Sequence, residues 1–147
     1  MADGFRTNVD GLRELARDFR EVDPSYAKKL QVANKTVAET IAGRARARYQ
    51  QQHQSRSGDG ANSIRALATQ QRAQVAFGSA RAPYVPGQEF GSHGGPGKRQ
   101  FPAYVPSPSG RGGRGYFFFP TLREETEDLP ELYLKAIEEV LRPVFPD

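Results

Sequence analysis

Apolar positions along the chain fall into helical stripes at both ends, a weakly alternating stretch between them and a long interval with no period. The clearest stripe is Tyr26, Leu30, Ala33, Val37, Ile41, Ala45 and Tyr49. Steps of three and four keep these residues on one side of a helix and predict helix over 24–51. Asp23-Pro24 supplies its start, a capping carboxylate followed by a ring preset for the first turn. At 1.5 Å per residue that helix runs roughly 42 Å, the full diameter (about 40 Å) of a compact chain of this size. Gly43 in its interior costs about 1 kcal/mol relative to Ala and marks an expected close approach or bend.

A shorter stripe, Val9, Leu12, Leu15, Phe19 and Val22, predicts a helix over 11–22 capped by Asp10. Near the other end, Asp128-Leu129-Pro130-Glu131 reads as a capping box with Pro in the first turn. Leu132, Tyr133, Ala136, Ile137, Val140 and Leu141 then form the apolar side of a helix over 129–142, stopped by Pro143. Glu131 and Lys135 make a favourable i,i+4 pair on it.

The centre is less regular. Gln50 to Asn62 is polar and contains Ser57-Gly58-Asp59-Gly60, which reads as a loop. Alternation predicts strands over 63–70 and 74–78, turned through Gln71-Arg72-Ala73, with helix competing for 62–73 because Ala and Gln are good helix formers. Residues 86–115 hold nine Gly and five Pro, which predicts an extended arm. Phe90, Phe101 and Tyr104 interrupt it, so it reads as an arm ordered by a partner rather than as a linker. Tyr116 to Phe119 reads as an aromatic strand closing it.

These elements predict an α+β domain: the long helix and the C-terminal helix packed on a small antiparallel sheet, with a Gly/Pro-rich arm. The length, 147 residues, fits a single domain. Only 30 residues are Leu, Ile, Val or Phe, about the fraction below which a core becomes hard to build. A thin core predicts a subunit that completes its burial against neighbours. No apolar run approaches the ~20 residues of a membrane span. Met1-Ala-Asp-Gly-Phe-Arg6 holds no apolar h-region, so no secretory signal is expected.

Charge is segregated. The net charge is +4, but residues 24–48 set six basic side chains against Glu39, whereas 116–147 set eight acids against three basic residues. A basic middle with acidic ends suits head-to-tail contact between copies.

Candidate chemistry is sparse. Cysteine is absent, which removes thiolate nucleophiles and Cys-based zinc sites. Gly91-Ser-His-Gly-Gly-Pro-Gly97-Lys98-Arg99 resembles a phosphate loop, but the spacing is off by one and Arg99 replaces the magnesium-binding hydroxyl. His53 and His93 lie in separate polar segments and read as solvated loop residues; Glu124, Glu125, Glu127 and Asp128 read as a solvated helix start. No enzyme activity, cofactor or metal is expected. Arg44, Arg46 and Arg48 alternate with Ala, which puts Arg44 and Arg48 on one helix face and Arg46 on another. They suit either a solvated face or contact with an acidic partner or nucleic acid. Arg111-Gly-Gly-Arg114-Gly resembles short RNA-binding stretches. The aromatic segments weigh more: Tyr84, Glu89, Phe90 and Gly91, then Phe101 and Tyr104, then Phe117, Phe118, Phe119 and Pro120 are candidates for holding the fold and a subunit interface.

Taken in order, the motifs are Gly11-Leu12-Arg13-Glu14-Leu15, a long Ala-rich helix, Gly60 to Ile64 with Ser-Ile, and Val75-Ala-Phe-Gly78. Tyr84 with Glu89-Phe90-Gly91, a Gly-rich loop, Phe118-Phe-Pro-Thr-Leu122 and a last helix follow. The chain thereby resembles the tail-completion (neck, or head–tail joining) family of long-tailed bacteriophages over about 9–141. It departs from similar proteins in the Val85-Pro86-Gly87 insertion before Glu89 and in a long, Gly-rich arm. The resemblance implies a structural virion protein at the head–tail junction, a subunit of a homo-oligomeric ring, a hexamer. The implied partners are copies of itself, a head-completion (stopper) ring and a tail-terminator or tail-tube ring. DNA would only pass through the lumen, and no membrane is involved. A tail-terminator role, or a small nucleic-acid-binding protein using the arginines, are the alternatives.

Overall fold

The computed structural model describes residues 17–18, 20–21, 24–54, 56–93, 101–107 and 113–141. Its elements are α1 (Tyr26–Gln52), α2 (Asp59–Asn62), β1 (Arg65–Ala68), β2 (Ala73–Ala76), α3 (Val85–Phe90), α4 (Phe118–Glu125) and α5 (Leu129–Leu141). The expected α+β class holds, with the long helix packed on a small antiparallel sheet and on the C-terminal helix. Of the helix predicted over 11–22, Arg17, Asp18, Arg20 and Glu21 are helical, and the rest lies outside the described residues. The same is true of the caps Asp10 and Asp23, of Pro143, of 94–100 with the phosphate-loop-like core, and of Arg111.

Four expectations need correction. The strands are shorter than 63–70 and 74–78, because Thr69 breaks the first one early. Its hydroxyl accepts the amides of Gln71 (3.2 Å) and Arg72 (3.1 Å), closing the turn at 69–72. The polar loop before it contains a helical turn, α2. The arm over 86–115 is not extended at its start, since Val85–Phe90 is helical with Pro in its first turn. Tyr116 to Phe119 is not a strand, since α4 begins at Phe118.

The chain divides into two compact units. The first gathers α1 up to Thr40, hairpin residues Ala66–Val75 and the chain from Glu127 onward; the second gathers Ile41–Arg65 and Ala76–Thr126. A helix of 27 residues, roughly 40 Å, outruns what one thin core can cover. Gly43 marks no close approach: a β-carbon there would meet nothing within 4 Å.

In the first unit, Leu30, Ala33 and Val37 of the predicted α1 stripe are buried, with Ala38 beside them, and so are Ala136 and Ile137 of the predicted α5 stripe, with Leu129. Polar side chains of α1 fasten the hairpin. Gln31 donates to the Ala68 carbonyl (3.2 Å), Asn34 to that of Thr69 (2.9 Å) and Lys35 to that of Ala66 (2.7 Å). Asn34 is buried, and its bond satisfies an amide that would otherwise be costly inside.

In the second unit the core is aromatic. The Phe77 ring sits 5.4 Å from that of Phe117, 5.5 Å from Phe118 and 6.1 Å from Phe90. Phe117, fully buried, also meets Tyr49 edge to face at 5.1 Å. Such centroid distances are those at which aromatic pairs add about 0.5–1.5 kcal/mol beyond their buried area. Few but large rings thus substitute for the scarce aliphatics.

Candidate functional site

The Tyr84–Gly91 segment and the Phe117–Leu122 segment meet at Glu89. Its side chain is fully buried. Oε1 accepts the backbone N–H groups of Tyr116 and Phe119, both at 3.2 Å. Oε2 accepts those of Phe117 at 3.0 Å and Phe118 at 2.8 Å. Four donors fill the four acceptor sites of one carboxylate. A helix start leaves its first amides without intrahelical partners and favours negative charge there. Here Glu89 takes those of Phe117, Phe118 and Phe119, together with that of Tyr116 just before the cap, and the next residue, Pro120, has no N–H to satisfy. The first bond inside α4 follows at once, from Thr121 N–H to the Phe117 carbonyl (3.3 Å). The buried Thr121 hydroxyl donates to that same carbonyl at 2.6 Å.

Gly115 makes room for this arrangement. It has φ +77°, and a β-carbon there would collide with Glu89 Oε1 and approach Phe119 Cβ to 2.8 Å. Gly91 closes α3 at φ +76° and lies against the Ala103 carbonyl, 2.7 Å from where its β-carbon would stand. The chain then runs back beside α3. Ser92 N–H donates to the Pro102 carbonyl (2.9 Å), Tyr104 N–H to that of Ser92 (3.2 Å) and Arg114 N–H to that of Val105 (2.8 Å).

Each predicted site residue therefore has a place. Glu89, Phe117 and Phe118 are buried within the chain's own interior, where they hold the fold. Phe90 packs on Phe77 (6.1 Å) and Phe119 (5.8 Å). Phe101 lies over Gly87, leaving no room for a β-carbon there, and the Tyr104 ring meets that of His93 at 4.2 Å. Tyr84 is half-buried beside Tyr49, and Pro120 is half-buried in the first turn of α4.

The arginines are engaged within their own unit. Arg44 pairs with Glu125 and Arg48 with Glu124 (2.5 Å). Arg46 points elsewhere, as its place on the helix predicts, and donates to the carbonyls of Ala61 (3.3 Å) and Ile64 (2.5 Å). Of the four acids expected at a helix start, Glu124 and Glu125 thus sit in the last turn of α4, held by arginines of α1, while Glu127 and Asp128 lie in the turn just before α5.

Three further groups escaped the sequence reading. The Ser63 hydroxyl donates to the Gly60 carbonyl (2.6 Å) and accepts the Gly78 N–H (3.1 Å), wiring the Gly60–Ile64 motif to Val75–Gly78. The Tyr49 hydroxyl donates to Gln88 Oε1 at 2.6 Å. Burial, then the neighbouring Tyr84, push its pKa up, and the Gln88 bond opposes them. His53 is not a solvated loop residue: its ring lies 4.8 Å from that of Tyr49, and burial holds its pKa below the usual histidine range. The signals were present in outline, namely polar residues inside small-residue motifs and an imidazole one turn beyond Tyr49.

Chemically, this is a fastening. The Glu89 oxygens are saturated, and among the described residues no three His, Cys, Asp or Glu side chains gather to hold a metal. No described helix is long and apolar enough to cross a membrane. Comparison with protein-family models, with curated proteins and with solved structures returned no match.

Proposed function

We propose that the chain is a structural virion protein of a phage neck, a ring subunit that completes the tail and joins it to the head connector. One observation carries this reading. Tyr84 to Gly91 and Phe118 to Leu122, the most specific part of the resemblance, are halves of a single device centred on Glu89. The Ser63 link between the Gly60–Ile64 and Val75–Gly78 motifs supports it in the same way. The motifs that carry the resemblance are the ones that fix this subunit's shape, as a role built on assembly requires. The nucleic-acid alternative is weakened, because Arg44, Arg46 and Arg48 are turned onto their own chain.

Deleting the coding sequence from the phage genome and imaging the particles tests this. Filled heads beside separate tails of normal length are expected, with joining restored by the protein supplied in trans. Overlong tails would assign the tail-terminator role instead, and joined, infectious particles would overturn both.

A further inference from the structure

We propose that the outward side of α5 is an assembly surface, and that its occupant is the basic unit of a second copy of this chain, joined head to tail. The proposal deepens the reading above and rests on it only in treating the chain as an assembling subunit.

Glu131, Leu134, Lys135 and Glu138 recur at i, i+3, i+4 and i+7, on the side of α5 away from its buried residues Ala136 and Ile137. Leu134 is 58% exposed, more than any other large apolar side chain among the described residues. Around it Glu131, Glu138 and Glu139 are exposed, and among the described residues none has an ion-pair partner. The sequence of this unit carries thirteen Asp and Glu against ten Lys and Arg; the other unit carries four against eleven. A leucine set among unpaired carboxylates calls for a covering surface that is basic and partly apolar.

The second unit has that chemistry. Arg56 and Arg81 are exposed and, among the described residues, unpartnered, and Val105 is 37% exposed. Arg44, Arg46, Arg48, Arg65 and Arg123 are committed to bonds within their own unit. A nucleic acid would seek the same arginines, but its phosphates are repelled by the α5 carboxylates and leave Leu134 uncovered. A second copy satisfies both surfaces at once. Because the two surfaces differ, the contact is heterologous and extends from copy to copy until a ring closes.

Sedimentation velocity on the full chain tests this with two charge-reversal variants, E138K/E139K and R56E/R81E. Wild type should self-associate at low salt, with affinity falling at least about tenfold at high salt as exposed charges are screened. Each variant alone should be monomeric with an unchanged circular dichroism spectrum. Mixed in equal amounts, they should assemble again, the two variants alternating, since the reversed surfaces complement each other as the native ones do. L134S should weaken wild-type association without changing any charge.

Variants that assemble like wild type, or a mixture that stays monomeric, would overturn the contact while leaving the neck role to the particle assay. A wild type that remains monomeric yet retards duplex DNA at low salt would also overturn it, and would give the basic unit to a phosphate backbone.

Discussion

The backbone of Gly115 occupies the space beside the Glu89 carboxylate where a β-carbon would stand, so each residue fixes what the other can be. Gly115→Ala forces a strained positive φ and pushes into Oε1, prising the carboxylate from its amides. Glu89→Gln keeps the shape but turns an N–H₂ group toward two N–H donors. Each change should cost about 1–3 kcal/mol, the range for buried polar groups left unpaired. Glu89→Asp, one methylene short, should recover only part of that. Urea denaturation of the three variants checks the order.

Gly43 predicts the opposite sign. It lies inside α1 with open space where a β-carbon would go, so Gly43→Ala adds helix propensity without a clash. A gain of about 0.5–1 kcal/mol is expected, raising the melting temperature by a few degrees. An unchanged or lowered melting temperature would show that the space beside Gly43 is filled in solution.

His53 sets a pH response. Burial holds the folded pKa below the usual 6.5, so as pH falls the unfolded chain takes up the proton first. Stability from this site is full above about pH 7 and declines as pH drops through 6.5 toward the folded value. Tyr49 acts at the other extreme: with its folded pKa above 10, stability falls as pH rises past 10. Melting curves for wild type and H53Q should diverge between pH 7.5 and pH 5.5, with wild type losing more.

The Arg48–Glu124 pair should matter little. Glu124 is 64% exposed and Arg48 28%, and ion pairs so open to water contribute up to about 1 kcal/mol. Glu124→Gln is expected to change stability within that limit at physiological salt. A larger loss would show that the α1 arginines hold the second unit together rather than decorate it.

The sequence disclosed what periodicity can carry. The stripe from Leu30 to Tyr49 is buried as predicted, and α5 begins at Leu129 as expected. It misled where local composition and long-range partners disagree. Four aromatics in a row look like a strand until a distant carboxylate gathers their amides into a helix start, and nothing near Tyr116 announces Glu89, 27 residues away. The same holds for Pro86 and Gly87, which read as extended arm yet fall in α3. Asn34 did carry a trace, a polar side chain beside Ala33 and Val37 on the buried side of α1, explained once the Thr69 carbonyl is seen opposite it.

The side chains of Gln31, Asn34 and Lys35 reach the carbonyls of Ala68, Thr69 and Ala66. A foreign β-segment arriving on that flank of the hairpin would find those acceptors occupied. Indefinite stacking of hairpin on hairpin, the route to fibrils at high local concentration, is therefore obstructed from one side. For a ring subunit of the kind proposed, contact with identical siblings would then fall to side-chain recognition, with three residues of one helix guarding that flank.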